Sequence, residues 1–251
     1  MNELERYLFD LQGFLVVEDV LTAEEVARLN AEIDRHTDGV PGHDGSDARI
    51  GGFLAWDEPL FRDLIDHPRM LPYLKGLLGE GFRLDHEYGM YMGPGIKGLN
   101  LHGGGTPYRP DQYYHCYHGT MHNGLTVVSY ALTDVKPGDG GFCCIPGSHK
   151  ANFPCPAELR RFEVNPGCIV QIPIRAGSVL IFTEALTHGT LDWATPYERR
   201  ALLYKYSPAH EAWGRAGRSE ALLARMSERQ RQILEPPYIW KRPPIPMDET
   251  G

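Results

Sequence analysis

Short runs of β-branched and aromatic residues, separated by turns rich in glycine and proline, constrain the fold of this 251-residue chain most strongly. Such runs are typical of a β-barrel or sandwich. The 28 glycines and 20 prolines also favour a turn-rich β architecture over a helical bundle. We therefore predict a mainly β fold with flanking helices. The strand-forming runs lie at residues 13–17, 82–92, 125–132, 142–145, 169–172, 178–182 and 200–206.

Helical patterns lie on both sides of the strands. Residues 1–40 read as a short strand followed by a helix, which Thr22 and Glu25 begin with a capping box. A second helical part covers 57–79, and a third covers about 220–234. We expect one domain over 1–251, divided into a helical N-terminal part (about 1–80), a barrel (about 82–207) and a C-terminal helix with a proline-rich tail (about 208–251).

Charge and cysteine content limit the partners and the compartment. The formal net charge of −8 gives no attraction to nucleic acid or to an anionic membrane, so we expect neither as a partner. No run approaches the roughly 18 apolar residues of a membrane span, and the first residues, MNELER, are unlike a signal peptide. The five cysteines lack a paired zinc spacing. They are interpreted as reduced thiols in a cytoplasmic protein.

Two histidines stand beside glycines near the predicted strands. His102 precedes three glycines, and His188 lies in the motif THGT at 187–190. They are 86 residues apart, so only a folded β-structure could bring them together. Two neutral imidazoles bind a borderline metal such as iron. Arg199, at the start of the last strand, could hold the far carboxylate of a chelating organic acid in a bidentate manner.

Other histidines offer weaker alternatives. His115, His118 and His122 are spaced i, i+3 and i+7, which would align them on one helix face as zinc ligands of a hydrolase. Gly119 and its neighbours make that segment a poor helix, so this is the minor interpretation. His86 either points into the site or is a hydrogen-bonded core histidine, and the second interpretation is favoured.

Taken together and in this order, the motifs resemble the phytanoyl-CoA dioxygenase family of Fe(II)/2-oxoglutarate oxygenases. The resemblance covers most of the chain, and its most specific segment is GDGGFCCIPGSHK at 138–150. It implies a double-stranded β-helix (jelly roll) that uses iron, 2-oxoglutarate and dioxygen. The other matching segments are 13–17 with the helix that follows, 128–135, 176–182, 187–190 and 199–202.

The resemblance also implies roles for individual residues. His102 and His188 would bind the metal, and Arg199 would clamp the C5 carboxylate of 2-oxoglutarate. Thr190 matches the small hydroxyl residue that helps this clamp. Arg200 takes the place of Arg199 if the strand register is shifted by one residue.

Further expectations concern the cavity wall and the reaction. Tyr130 is expected to line the pocket beside the co-substrate. Tyr114 and His115, on the loop after the first metal strand, are expected to contact the substrate. That substrate is predicted to be a small organic molecule, hydroxylated at an unactivated C–H bond.

Gly104 departs from the family pattern. The family normally carries His-x-Asp on its first metal strand, and here glycine takes the place of the aspartate. In one interpretation the vacant position takes water or chloride, as in related halogenases. In another, Asp111, Glu87 or His115 supplies the third ligand. In the last, metal binding is lost and the barrel is a non-catalytic small-molecule binder, against which the intact second histidine and arginine argue.

Overall fold

A computed structural model describes residues 1–37, 48–215 and 217–248. Within these ranges, no helix has the length and apolar character needed to cross a membrane. The helices are α1 (Glu3–Gln12), α2 (Ala23–Thr37), α3 (Leu60–Asp63), α4 (Leu71–Leu78), α5 (Ala157–Arg160), α6 (Glu220–Leu223) and α7 (Glu228–Ile233). The strands are β1 (Phe14–Val17), β2 (Ala48–Ile50), β3 (Arg83–Met92), β4 (Tyr114–Tyr117), β5 (Thr120–Asn123), β6 (Thr126–Ala131), β7 (Gly141–Cys144), β8 (Val170–Gln171), β9 (Val179–Thr183), β10 (His188–Leu191) and β11 (Arg199–Ser207).

Two antiparallel sheets face each other. The large sheet has the strand order β1-β9-β6-β11-β3-β2, and the small sheet has the order β10-β7-β8. Phe142 of the small sheet packs against Phe182 of the large one, with ring centroids 4.7 Å apart. This is the mainly β, double-stranded β-helix that was predicted.

The other face of the large sheet packs against the helices. Tyr130 of β6 donates its hydroxyl to the Leu64 carbonyl at 3.0 Å, and Tyr204 of β11 donates to the Phe61 carbonyl at 2.5 Å. Both tyrosines are fully buried in one apolar cluster with α2 and α4. Helices, large sheet and small sheet thus form three layers.

The N-terminal capping motifs explain one confirmed and one wrong prediction. Glu25 N–H donates to Thr22 Oγ1 at 3.2 Å, and Thr22 N–H donates to the Glu25 carboxylate at 2.8 Å, so the predicted capping box is present. A second capping box, formed by Asn2 and Glu5, begins α1. The interpretation of residues 1–40 as a strand followed by a single helix is therefore wrong, because it overlooks this first helix.

Two other segments differ from expectation. The stretch after the first metal strand that was expected to be a loop carrying Tyr114 and His115 contains the β4–β5 hairpin. The predicted helix over about 220–234 is two short helices, because Ser227 and Gln230 form a capping box that begins α7 anew.

Candidate active site

The two histidines lie side by side. His102 and His188 form an isolated antiparallel bridge, with backbone N···O distances of 2.7 and 2.9 Å. Their ring centroids are 4.2 Å apart. The fold therefore brings together the pair that the sequence predicted.

Both imidazoles are oriented by their Nδ1 atoms. Nδ1 of His102 donates to the Asn100 carbonyl at 3.0 Å, and Nδ1 of His188 donates to the Leu186 carbonyl at 2.7 Å. This tautomer leaves the lone pair of each Nε2 available to a metal. Burial lowers the pKa of His188 to about 4, so that ring is neutral at physiological pH. The donor set therefore fits the iron that the family resemblance implies.

A cavity of about 220 Å³ opens beside the two rings. It lies between the sheets, and inward-facing side chains of β3, β6, β9 and β11 form one wall. Its apolar lining includes Met90, Phe142, Phe182 and Leu203. This volume lies below the roughly 300–1,000 Å³ of sites for drug-sized ligands, so the cavity suits a small ligand.

The two neighbouring arginines at the start of β11 point in opposite directions. Arg199 lines the cavity, as does Thr190 of β10. Arg200 instead forms ion pairs with Asp34 at 2.6 Å and Glu198 at 2.7 Å. The structure thus brings Arg199 and Thr190 to the histidine pair, whereas the guanidinium of Arg200 is engaged elsewhere.

Tyr130 does not reach the cavity. It lies on the helix-facing side of β6, while the preceding residue, Ser129, lines the cavity. Successive residues of a strand point to opposite faces, so a shift of one residue separates the two roles. The expectation that Tyr130 lies beside the co-substrate is corrected in favour of Ser129.

Tyr114 and His115 also lie away from the cavity. Tyr114 donates its hydroxyl to Asp10 of α1. His115 stacks on His122, its partner across the β4–β5 hairpin, with centroids 4.8 Å apart. The residue of this region that does line the cavity is Gln112. Tyr114 and His115, the two expected substrate contacts, are therefore not among the residues that line the cavity, because the segment folds as a hairpin.

The histidine cluster is not a metal site. His115 and His122 face each other across the hairpin, and His118 lies at its turn with a φ of 49°. In residues 1–37, 48–215 and 217–248, no group of three or more His, Cys, Asp or Glu side chains is already arranged around a metal position. The zinc-hydrolase interpretation, which needs His115, His118 and His122 around one ion, therefore has no support from these described residues.

The carboxylates named as substitutes for the missing aspartate are engaged elsewhere. Glu87 forms an ion pair with Arg218 at 2.5 Å, and Asp111 forms one with Arg109 at 3.2 Å. Neither carboxylate lines the cavity. These two side chains are not brought to the histidine pair.

Glu184 and Lys205 also line the cavity, although neither was predicted from the sequence. Glu184 is buried directly after β9, with Oε2 at 4.0 Å from Nε2 of His188 and Oε1 at 2.6 Å from Nζ of Lys205. Burial raises the pKa of this carboxyl, but the charge and hydrogen bond of Lys205, together with His188 and His102, lower it to about 2. The available signal was a period of two, since Phe182 precedes Glu184 on the cavity side by two residues and Leu203 precedes Lys205 by two.

His86 combines both of its proposed roles. Its Nδ1 lies 2.7 Å from the buried carboxylate of Asp85, which matches the favoured hydrogen-bonded interpretation. Its ring also lines the cavity and packs against Trp213 at a centroid distance of 4.9 Å. His86 and Trp213 therefore pack together as part of the cavity wall.

The fold and the oriented histidine pair define a jelly-roll oxygenase, and comparison with known proteins agrees. The family model "Phytanoyl-CoA dioxygenase (PhyH)" matches residues 9–201, so the chain belongs to the phytanoyl-CoA dioxygenase family. It is a 2-oxoglutarate-dependent dioxygenase, as predicted.

Individual relatives are consistent with this membership. An ectoine dioxygenase of Nocardia farcinica is 27% identical over 222 residues, covering 76% of this chain and 72% of the relative. One of Stutzerimonas stutzeri is 26% identical over 235 residues, covering 81% and 76%. HygX from Streptomyces hygroscopicus, solved with nickel and 2-oxoglutarate bound, matches with a TM-score of 0.77 and 27% identity, covering 86% of this chain and 90% of HygX. Its iron-bound structure gives a TM-score of 0.72.

Proposed function

We propose that this enzyme hydroxylates an unactivated C–H bond of a small organic substrate, with His102 and His188 as ligands of the iron. The observation that carries the proposal is the pair of Nε2 atoms left available beside one cavity, because both Nδ1 atoms donate to carbonyls. When bound, iron and 2-oxoglutarate supply the activation of dioxygen, and 2-oxoglutarate is converted to succinate and carbon dioxide. The protein's own task is to orient these groups and exclude water.

Arg199 and Thr190 are proposed to hold the C5 carboxylate of 2-oxoglutarate. A guanidinium matches a carboxylate with two parallel hydrogen bonds. Gly141, on β7 of the small sheet, supports this assignment, since a Cβ there would lie 3.0 Å from Nε of Arg199. Glycine at this position, with a φ of +78°, leaves room for the guanidinium.

The substrate is proposed to enter past Arg49, His86, Gln112 and Trp213. These residues line the same cavity as the histidine pair and supply a cation, aromatic surface and an amide. Such a wall suits a small polar molecule. The structurally similar protein HygX has been solved with nickel, 2-oxoglutarate and hygromycin B bound.

The proposed compartment is the cytoplasm, and the proposed partners are a small molecule and dioxygen. All five cysteines are free thiols, which supports a reducing environment. No nucleic acid or membrane is proposed as a partner, given the net charge of −8.

Anaerobic titration of the protein with Fe(II) and 2-oxoglutarate tests the proposed site. We expect a visible metal-to-ligand charge-transfer band in the wild type and in Arg200→Ala, and a greatly weakened band in His102→Ala and Arg199→Ala. Absence of the band from the wild type would contradict the proposal. Product analysis then separates hydroxylation from halogenation, the alternative for an open iron position, because only the latter incorporates chloride.

A further inference from the structure

We infer that Glu184 supplies the carboxylate ligand that the His-x-Gly sequence at residues 102–104 lacks. This inference rests on the proposed function, because it names a third ligand for the metal held by the two histidines. It places the carboxylate four residues before the second histidine in sequence, not two residues after the first.

Gly104 is directed away from the metal position. Its φ is +105°, and a Cβ built there would lie 3.1 Å from Thr187 Oγ1 and 3.5 Å from Nη2 of Arg160. Neither Thr187 nor Arg160 lines the cavity. The local backbone therefore suits glycine, and an aspartate here would be strained and aimed elsewhere.

Glu184 is directed towards the metal position. Among the cavity-lining residues that the structure describes, it is the one carboxylate. Its Oε2 lies 4.0 Å from Nε2 of His188, which is too far for a hydrogen bond. Glu184 and the two histidines are not already arranged around one metal position. Neighbouring ligands each about 2.1 Å from one ion and at right angles lie about 3 Å apart, so Oε2 would move about 1 Å towards His188 on metal binding.

The backbone around Glu184 is rigid enough to position a ligand. Glu184 N–H donates to the Leu125 carbonyl at 2.9 Å, and Leu186 N–H donates to the Thr183 carbonyl at 2.9 Å. Ala185 and Leu186 are fully buried. Glu184 and His188 are therefore presented by one short, well-packed turn between β9 and β10.

Lys205 is a positioning residue for this carboxylate. Its Nζ lies 2.6 Å from Oε1 of Glu184 and 5.3 Å from the centroid of the Tyr88 ring. By engaging Oε1, Lys205 leaves Oε2 on the side of His188. Hydrogen-bonded partners of this kind orient ligating carboxylates and tune their metal affinity.

Metal binding without 2-oxoglutarate or turnover tests the inference. Co(II) affinity and the visible d–d spectrum are measured for the wild type, Glu184→Gln and Glu87→Gln, in which the altered carboxylate lies outside the cavity. Loss of an outer partner typically weakens metal binding about 10–100-fold, so we expect at least about 100-fold weaker binding for Glu184→Gln. Lys205→Met should weaken binding about 10-fold, and Glu87→Gln should bind as the wild type does.

Unchanged Co(II) affinity and spectrum in Glu184→Gln would overturn the inference. If the wild type still forms the Fe(II)/2-oxoglutarate band in that case, the proposed function stands while the role of Glu184 falls. If the wild type forms no band, the proposed function itself fails.

Two additional variants keep the test decisive. Glu184→Gln leaves the Lys205 ammonium buried without its carboxylate, so this variant could fail to fold. The double variant Glu184→Gln/Lys205→Met removes both charges and is expected to fold but to bind Co(II) as weakly as Glu184→Gln does. Wild-type affinity in the double variant would overturn the inference.

In Glu184→Ala, chloride should shift the Co(II) spectrum by entering the vacated position, whereas the wild-type spectrum should not respond. A chloride response in the wild type would contradict the assignment.

Discussion

On the helix-facing side of the large sheet, Tyr130, Tyr204 and Tyr206 each donate their hydroxyl to a backbone carbonyl within residues 61–65. On the cavity-facing side of the same strands, one residue away, Ser129 and Lys205 line the site. Buried polar atoms on the first side are consumed by the fold, because an unpaired buried hydroxyl would be costly. Those on the second side face the cavity, where Lys205 pairs with Glu184. The comparison teaches that a polar residue in a buried strand is functional or structural according to its face.

The largest difference in turnover between variants of the two faces is expected at the histidine pair. His188→Ala removes a metal ligand from the cavity side and should lower 2-oxoglutarate turnover at least about 1000-fold, equivalent to ~4 kcal/mol. Tyr204→Phe, on the opposite face, should leave turnover per folded molecule unchanged. Succinate formation measures both, and comparable losses in the two variants would refute the division between the faces.

Truncation on the helix side should act on stability alone. Tyr204→Ala leaves a cavity in the fully buried cluster and should lower the free energy of unfolding by about 4 kcal/mol. Urea denaturation measures this loss. The folded fraction should keep wild-type affinity for 2-oxoglutarate, and a large change in that affinity would count against the assignment.

The two arginines test the comparison at neighbouring positions. Arg199→Ala should weaken 2-oxoglutarate binding about 100-fold, since it deletes one partner of a desolvated charge pair. Arg200→Ala should change that affinity less than about two-fold and cost about 1 kcal/mol of stability, because its ion pairs are partly exposed. Isothermal titration under anaerobic conditions distinguishes them, and the reverse order would place the strand one residue out of register.

A smaller effect is expected at Glu211, a buried carboxyl that lacks ion pairs like those of Arg200 among the described residues. Glu211 is 8% exposed, and burial together with Asp111 and Asp85 raises its pKa to about 8. The pKa of Glu211 is higher in the folded state than in the unfolded state, so the folded protein holds this proton more tightly. The stability that follows from holding the proton is fully present below about pH 4.5 and is lost as the pH rises through about 8. Glu211→Gln should remove this dependence and be more stable than the wild type by about 2 kcal/mol above pH 8. Thermal melts from pH 5 to 9 provide the measurement, and parallel curves for the two proteins would contradict it.

The fold and part of the site could be predicted from the sequence for identifiable physical reasons. The strands are marked by β-branched runs and turns, and the two histidines by their glycine neighbours. Tyr130 was assigned to the wrong face because every residue of β6 is buried, so no alternation of polar and apolar residues marks which side faces the cavity. Glu184 was missed because it lies in a turn, where its direction depends on the register of β9 and on Lys205 from a distant strand.

The backbone bridge between His102 and His188 has a mechanical consequence. It joins the segment leading into the β4–β5 hairpin to β10, at positions 86 apart in the sequence, through two hydrogen bonds. A metal ion bound by both side chains would form a second link between the same two segments. Ligands that bind only the folded state at 100 times their dissociation constant add about 2.7 kcal/mol of stability. We therefore expect metal binding to slow amide hydrogen exchange first around residues 99–102 and 186–190, the two segments that the His102–His188 bridge joins.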